Sequence, residues 1–223
     1  GPGSDRRMGA ITADSMIAII DYKAGNLTSV ALGFEAIGAE AVVTRDPDVI
    51  RAAERVVFPG VGAAGAAMSN LRALALIDVI HSVVASGTPF LGICLGTQIL
   101  LSRSEEDGGT DCLNLTKGRV RHFSPTNPRD KVPHMGWNAV RQKVAHPVMA
   151  NIDDDSEFYF VHSYYPDPED ESVIMGTTSY ADITFTSAIY RDNLVATQFH
   201  PEKSGRVGLR LLENFAQWDG TLS

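Results

Sequence analysis

The sequence predicts an α/β fold, with a mostly parallel central sheet flanked by helices and a β-rich C-terminal half. Three observations carry this reading. Short apolar runs alternate with amphipathic stretches through the N-terminal half, the pattern of parallel strands joined by crossover helices. Those runs are apolar throughout instead of every second residue, as strands covered on both faces require. From Lys117 onward, segments rich in β-branched and aromatic residues, separated by turn residues, replace that alternation.

Taken in order, Gly1-Pro2-Gly3-Ser4 reads as the scar of a cleaved tag, and residues 1–15 as tag remnant and N-terminal extension, with the natural start at Met8 or Met16. The first strand covers 16–21. Asn26 is placed to cap a helix running to 37, which Gly38 ends, and 41–44 form the next strand. Pro47 opens a short helix, 55–58 a strand, and 64–74 and 76–86 two helices. An apolar strand then leads to Cys94, and a helix is expected from Gly96. Further strands are expected at 118–123, 137–141, 158–162, 173–180, 185–190 and 194–199, with Asp192-Asn193 as a hairpin turn between the last two. The closing helix, 204–217, carries Val207, Leu211, Leu212 and Phe215 on one face, suited to packing on the sheet. One domain over 16–218 fits this length.

Composition narrows the function classes. A hydrophobic fraction of 44% is ordinary for a soluble globular chain, and a net charge of −8 argues against a nucleic-acid surface as the main role. No apolar run approaches the roughly 18 residues that span a bilayer, so no membrane association is expected. Two cysteines, Cys94 and Cys112, without a signal peptide fit a reducing cytoplasm. Cys112 lies in a Gly/Asp-rich loop and reads as structural. The six histidines show no spacing typical of zinc ligands, and neither metal nor cofactor is expected.

The chemistry centres on Gly92-x-Cys94-x-Gly96, the cysteine form of a nucleophile elbow, in which flanking glycines permit a sharp strand-to-helix turn. The following helix N-terminus favours a thiolate there. A cysteine ending an apolar strand is otherwise an ordinary small core residue. A base is supplied downstream: 194–199 delivers His200, and Glu202, two residues on, is suited to orient it. On a continuing strand the two share a face. A second loop, Pro59-Gly60-Val61-Gly62-Ala63-Ala64-Gly65, formally matches G-x-G-x-x-G, but the strand ending in an acid that dinucleotide binding requires does not follow. The alternative for this loop is a set of N–H donors for an oxyanion.

Gly92-Ile93-Cys94-Leu95-Gly96-Thr97-Gln98 together with Gln198-Phe199-His200-Pro201-Glu202 resembles the class I (triad) glutamine amidotransferases, over nearly the whole chain from Met16 to Trp218. The resemblance implies their flavodoxin-like fold and a glutaminase in which Cys94 is the nucleophile, His200 the base and acid, and Glu202 the orienting carboxylate. It likewise implies an oxyanion hole from the Gly60-Val61-Gly62 backbone and the N–H of Leu95, formed on demand if the Val61 peptide flips. Gln98, Glu106, His162 and Tyr164 resemble positions that hold the glutamine substrate, with Glu106 a partner for its ammonium group. Pro133-His134-Met135-Gly136-Trp137-Asn138 and Tyr159-Phe160-Val161-His162-Ser163-Tyr164 narrow the resemblance to the branch that serves imidazole glycerol phosphate synthesis in histidine biosynthesis. In that branch the glutaminase forms a heterodimer with a (β/α)8 barrel cyclase subunit. Asn26, Trp137, Tyr159 and Lys203 resemble the residues facing that partner near the ammonia exit. Two rivals stand beside this reading: the glutaminase of pyridoxal phosphate synthase, for which a Gly-Gly-Glu-Ser-Thr loop is expected in place of Pro59-Gly60-Val61-Gly62, and a noncatalytic binding protein, for which loss of the cysteine or histidine is the signature.

Overall fold

A computed structural model describes residues 16–25 and 27–222. The tag remnant and extension expected over 1–15, Met8 included, and the helix cap and partner contact expected of Asn26 lie outside the described residues. In chain order the elements are β1 (Ile17–Ile20), α1 (Thr28–Ala36), β2 (Ala41–Thr44), α2 (Pro47–Ala52), β3 (Arg55–Phe58), α3 (Ala64–Ala73), α4 (Ile77–Ala85), β4 (Phe90–Ile93), α5 (Leu95–Gln98), β5 (Arg103–Ser104) and β6 (Thr110–Asp111). They continue as β7 (Gly118–His122), β8 (His134–Ala139), β9 (Arg141–Gln142), β10 (Glu157–His162), β11 (Tyr164–Pro168), β12 (Ile174–Tyr180), β13 (Ile183–Arg191), β14 (Leu194–Thr197) and α6 (Gly205–Gln217).

Among the described residues the central sheet has the order β2-β1-β3-β4-β14-β13-β12-β9. The strands from β2 to β14 pair in parallel, and β13, β12 and β9 extend the sheet antiparallel. The parallel portion has the doubly wound order of flavodoxin-like sheets. The β-rich half divides: part of it extends this sheet, β10 and β8 form a hairpin-like pair, and β11-β7-β5-β6 form a small sheet.

Alternation along the strands explains the two apolar layers. On β1, Ile17 and Ile19 face a core with Val30 and Phe34 of α1 and Leu211, Leu212 and Phe215 of α6. Ala18 and Ile20 face the opposite core, with Met68 and Leu71 of α3 and Val79, Ile80 and Val83 of α4. α2 starts where Asp46 accepts the N–H of Asp48 at 2.9 Å and Pro47 occupies the first turn, the combination that caps a short helix.

Three expectations need correction. The helix after the elbow is only Leu95–Gln98, because the Leu100 and Leu101 N–H groups close tight turns onto Thr97 and Gln98. The carbonyls of Ile99, Leu100 and Leu101 instead receive the amides of 113–116, so apolar residues that read as helical turns are a buried loop. The strand expected at 137–141 is two strands, β8 and β9, parted at Val140, whose N–H is bonded to Ser156 O at 3.0 Å. The last strand stops at Thr197, short of 199.

Candidate active site

The loops that follow β3, β4 and β14 meet because those strands are neighbours in the sheet. Leu91 of β4 pairs with Val195 of β14, and Ile93 with Thr197, so Cys94 and His200 leave adjacent strand ends on the same edge. Cys94 has φ 54 and ψ −113, a conformation costing a non-glycine residue on the order of 1–3 kcal/mol. Its N–H donates to Thr197 O at 2.8 Å, and Thr97 Oγ1 donates to the same oxygen at 2.6 Å. A Cβ on Gly96 would lie 1.8 Å from Phe58 O, so only glycine lets the turn pack against β3.

His200 reaches its carboxylate by a route other than strand alternation. Pro201–Lys203 forms a 3-10 turn, with Lys203 N–H bonded to His200 O, and this folds Glu202 back onto the ring. His200 Nδ1 and Glu202 Oε1 are 2.5 Å apart with both side chains almost wholly buried. Ser204 Oγ donates to His200 O at 2.6 Å and accepts Tyr159 N–H at 2.9 Å, so this hydroxyl supports the site instead of capping α6. Burial is the largest single influence on His200 and pushes its pKa down. The nearby Cys94 sulfur and the Glu202 carboxylate, the latter hydrogen-bonded to Nδ1, together outweigh it and raise the value to about 10.

Cys94, Leu95, Gln98, Glu106, Val61, Gly62, His162 and Tyr164 line one cleft of about 330 Å³. Glu106 Oε2 accepts Ala64 N–H at 3.3 Å, and burial raises its pKa against that bond. Gly60, Val61, His200, Glu202 and Lys203 line a second cavity of about 70 Å³, which shares Val61 with the cleft. Lys203 and Trp137 are exposed, and the Trp137 ring meets Tyr159 edge-on at 6.3 Å.

Two of the expected oxyanion donors are occupied. Val61 N–H donates to Ala24 O at 2.7 Å and Leu95 N–H to Gly60 O at 3.1 Å, so neither points into the cleft. Tyr22 adds a third tie to this segment, its buried hydroxyl donating to Pro59 O at 2.6 Å. Sequence reading assigned Tyr22 no individual role at this segment.

Two further sets of contacts were not legible in the sequence. His162 Nδ1 lies 2.7 Å from Tyr164 O, a pure acceptor, so that nitrogen carries the proton and Nε2 accepts from His134 Nδ1 at 2.9 Å. His134 Nε2 then accepts from Asn138 Nδ2 at 3.2 Å. Both rings are neutral: burial lowers His134 to about 4 and, chiefly by the same cause, His162 to about 3. The second group is Gln198, whose Nε2 is 3.7 Å from Cys94 Sγ. Its motif was visible, its contact was not. Cys112 is free and half-buried, its thiol pushed up to about 11 by burial, in keeping with a structural residue. Among the described residues no group of three or more His, Cys, Asp or Glu is arranged to hold a metal ion, and no single helix is long and apolar enough to cross a membrane.

A doubly wound sheet with a cysteine elbow facing a buried His-Glu pair defines a class of amide-hydrolysing proteins, and the family Glutamine amidotransferase class-I matches residues 18–218. The solved structure of PurLQS from Thermotoga maritima is similar in fold, with TM-score 0.70 and 16% identity over 90% of this chain and 96% of that one. The glutaminase domain of Trypanosoma brucei CTPS gives 0.58 at 17% identity, covering 93% and 96%. Sequence similarity is more specific. Imidazole glycerol phosphate synthase subunit HisH of Geobacter sulfurreducens is 51% identical over 90% of this chain and 98% of its own, and that of Chloroflexus aurantiacus 48% over 91% and 96%. The chain belongs to the HisH family of class-I glutamine amidotransferases.

Proposed function

We propose that this protein hydrolyses glutamine with Cys94, His200 and Glu202 and delivers the ammonia to a (β/α)8 barrel cyclase subunit, which makes imidazole glycerol phosphate and AICAR in histidine biosynthesis, in the cytoplasm. The observation that carries the reading is the convergence of the elbow cysteine with a buried, carboxylate-bound imidazole at adjacent strand ends. In the first step the Cys94 thiolate attacks the carboxamide carbon, a C–S bond forms, and the C–N bond breaks as His200 Nε2–H protonates the departing ammonia. In the second, His200 takes a proton from water, the hydroxide attacks the thioester, and glutamate leaves as the thiolate returns. Gln98, Glu106, His162 and Tyr164 line the cleft in which substrate binds, with Glu106 paired to the α-ammonium group.

Both tetrahedral intermediates carry an oxyanion, and two of the donors expected for it, Val61 N–H and Leu95 N–H, are tied elsewhere. This supports a resting state in which turnover waits for the 60–61 peptide to turn. Gly62, at φ 102 with open space around it, gives the segment that freedom. The small cavity lined by Val61, His200 and exposed Lys203 suits an ammonia exit toward the partner. The test is glutamine hydrolysis by wild type and Cys94→Ala, with and without a barrel cyclase carrying its nucleotide ligand. Cysteine-dependent turnover that rises by orders of magnitude with the liganded partner is expected. Full turnover by the isolated chain would overturn the coupling, and turnover without Cys94 would overturn the chemistry.

A further inference from the structure

Gln198 lies two residues before His200, just beyond β14, and its side chain is fully buried. Its backbone N–H donates to Ser187 O at 2.8 Å, which holds the residue in place. The side-chain amide has two neighbours: Oε1 is 3.0 Å from Gln98 Nε2, and Nε2 is 3.7 Å from Cys94 Sγ.

The orientation of this amide follows from its surroundings. Gln98 Nε2 lies 3.0 Å from Tyr164 O, a backbone carbonyl that only accepts, so the nitrogen of Gln98 and not its oxygen occupies that end. With one Nε2 proton on Tyr164 O, the other points at Gln198, which must answer with its oxygen. The Gln198 NH2 group is thereby turned toward the sulfur. The Tyr164 oxygen also takes the His162 Nδ1 proton, so both its lone pairs are used and Gln98 is held firmly. A fixed donor aimed at a buried sulfur has a chemical use that no apolar side chain of the same shape supplies.

We propose that Gln198 is a further catalytic residue, its amide N–H donating to the Cys94 thiolate before attack and again when the C–S bond of the thioester breaks. The inference rests on Cys94 being the glutaminase nucleophile. No proton leaves the amide in either step. The electron pair that returns to sulfur on thioester cleavage is received next to an N–H dipole, while the acid–base work stays with His200. Gln98 stands between this amide and the cleft, so the residue that contacts substrate also clamps the group that steadies the nucleophile.

The experiment uses the full chain in complex with the liganded barrel cyclase and compares wild type with Gln198→Met, which keeps length and burial but has no donor. Alkylation of Cys94 by iodoacetamide reads the sulfur without needing glutamine, and steady-state hydrolysis separates kcat from KM. Both alkylation rate and kcat are expected to fall about tenfold to a hundredfold, with KM changed less than about threefold. Gln98→Met is expected to raise KM more than it lowers alkylation. Alkylation at the wild-type rate in Gln198→Met would overturn the proposal and leave Gln198 as packing. If Gln198→Met does not fold, the side-chain amide resonance of Gln198 in 15N-labelled wild type and Cys94→Ala decides: a displaced N–H signal supports the contact with sulfur, and an unmoved one overturns it. Absence of glutamine hydrolysis by wild type with its liganded partner sinks the glutaminase reading by itself, whatever the alkylation arm shows.

Discussion

Tyr22 shows how much a single hydroxyl decides. Its ring stacks on Phe58 at 4.8 Å and would satisfy any account of a core aromatic, yet its O–H holds Pro59 O at the head of the segment proposed to rearrange. Removing the hydroxyl leaves a buried carbonyl unpaired, a penalty of about 1–3 kcal/mol on the resting arrangement. Tyr22→Phe is therefore expected to raise partner-free glutamine hydrolysis several-fold and to shrink the activation ratio given by the partner, read from steady-state rates of the free and complexed enzyme. An unchanged ratio would show that Pro59 is not where the resting segment is anchored. Residue types revealed Cys94, His200 and Glu202 because each needs a particular atom for its chemistry. They did not reveal that Val61 N–H and Leu95 N–H are occupied, since peptide orientation is a property of the backbone that glycine-flanked residues leave open.

Among the elements, α6 links fold and site most directly, because it begins right after the turn that carries Glu202. Phe215 on its buried face packs against Phe34 of α1 and Trp218, and Leu212 reaches close to Gly33. Phe215→Ala is expected to cost about 3–5 kcal/mol of unfolding free energy, measured by denaturant midpoint, whereas Leu32→Ala on the exposed side of α1 should stay within about 0.5 kcal/mol. Equal effects would mean that α6 contributes little to the fold. That face was legible because its apolar residues repeat at helical spacing. β11 was not: Pro166 and Pro168 argue against a strand, and they are tolerated because β11 is an edge of its sheet. The elbow helix failed for the opposite reason, since an apolar run buried on all sides looks the same as a helix or as a loop.

The molecule as a whole is bounded in pH by buried imidazoles acting in opposite directions. His134, His146 and His162 have folded-state values lowered to about 4, about 4 and about 3, mainly by burial. Below the unfolded value near 6.5 the unfolded chain binds protons that the native state refuses, so stability present above 6.5 is lost as pH falls toward 4. His200 works the other way: its raised value gives stability that is complete below 6.5 and lost as pH rises toward about 10. The burial behind these shifts comes from packing side chains far apart in the chain, such as His134 against Phe160 and His162, and so was hidden in a sequence where each histidine reads as an ordinary polar residue. His146 isolates the acid limb, because it lies away from the cleft against Tyr190 and Trp218 and caps a turn by accepting Val148 N–H at 3.0 Å. His146→Asn keeps that cap and removes the titrating ring. Its unfolding free energy, followed from pH 8 to pH 4, is expected to fall less steeply than that of wild type, the difference reaching on the order of 3 kcal/mol at the acid end, where a lowering of the pKa is converted at about 1.4 kcal/mol per unit. A constant offset between the two curves would instead assign His146 a packing role alone and place the whole acid limb on the His134 and His162 pair.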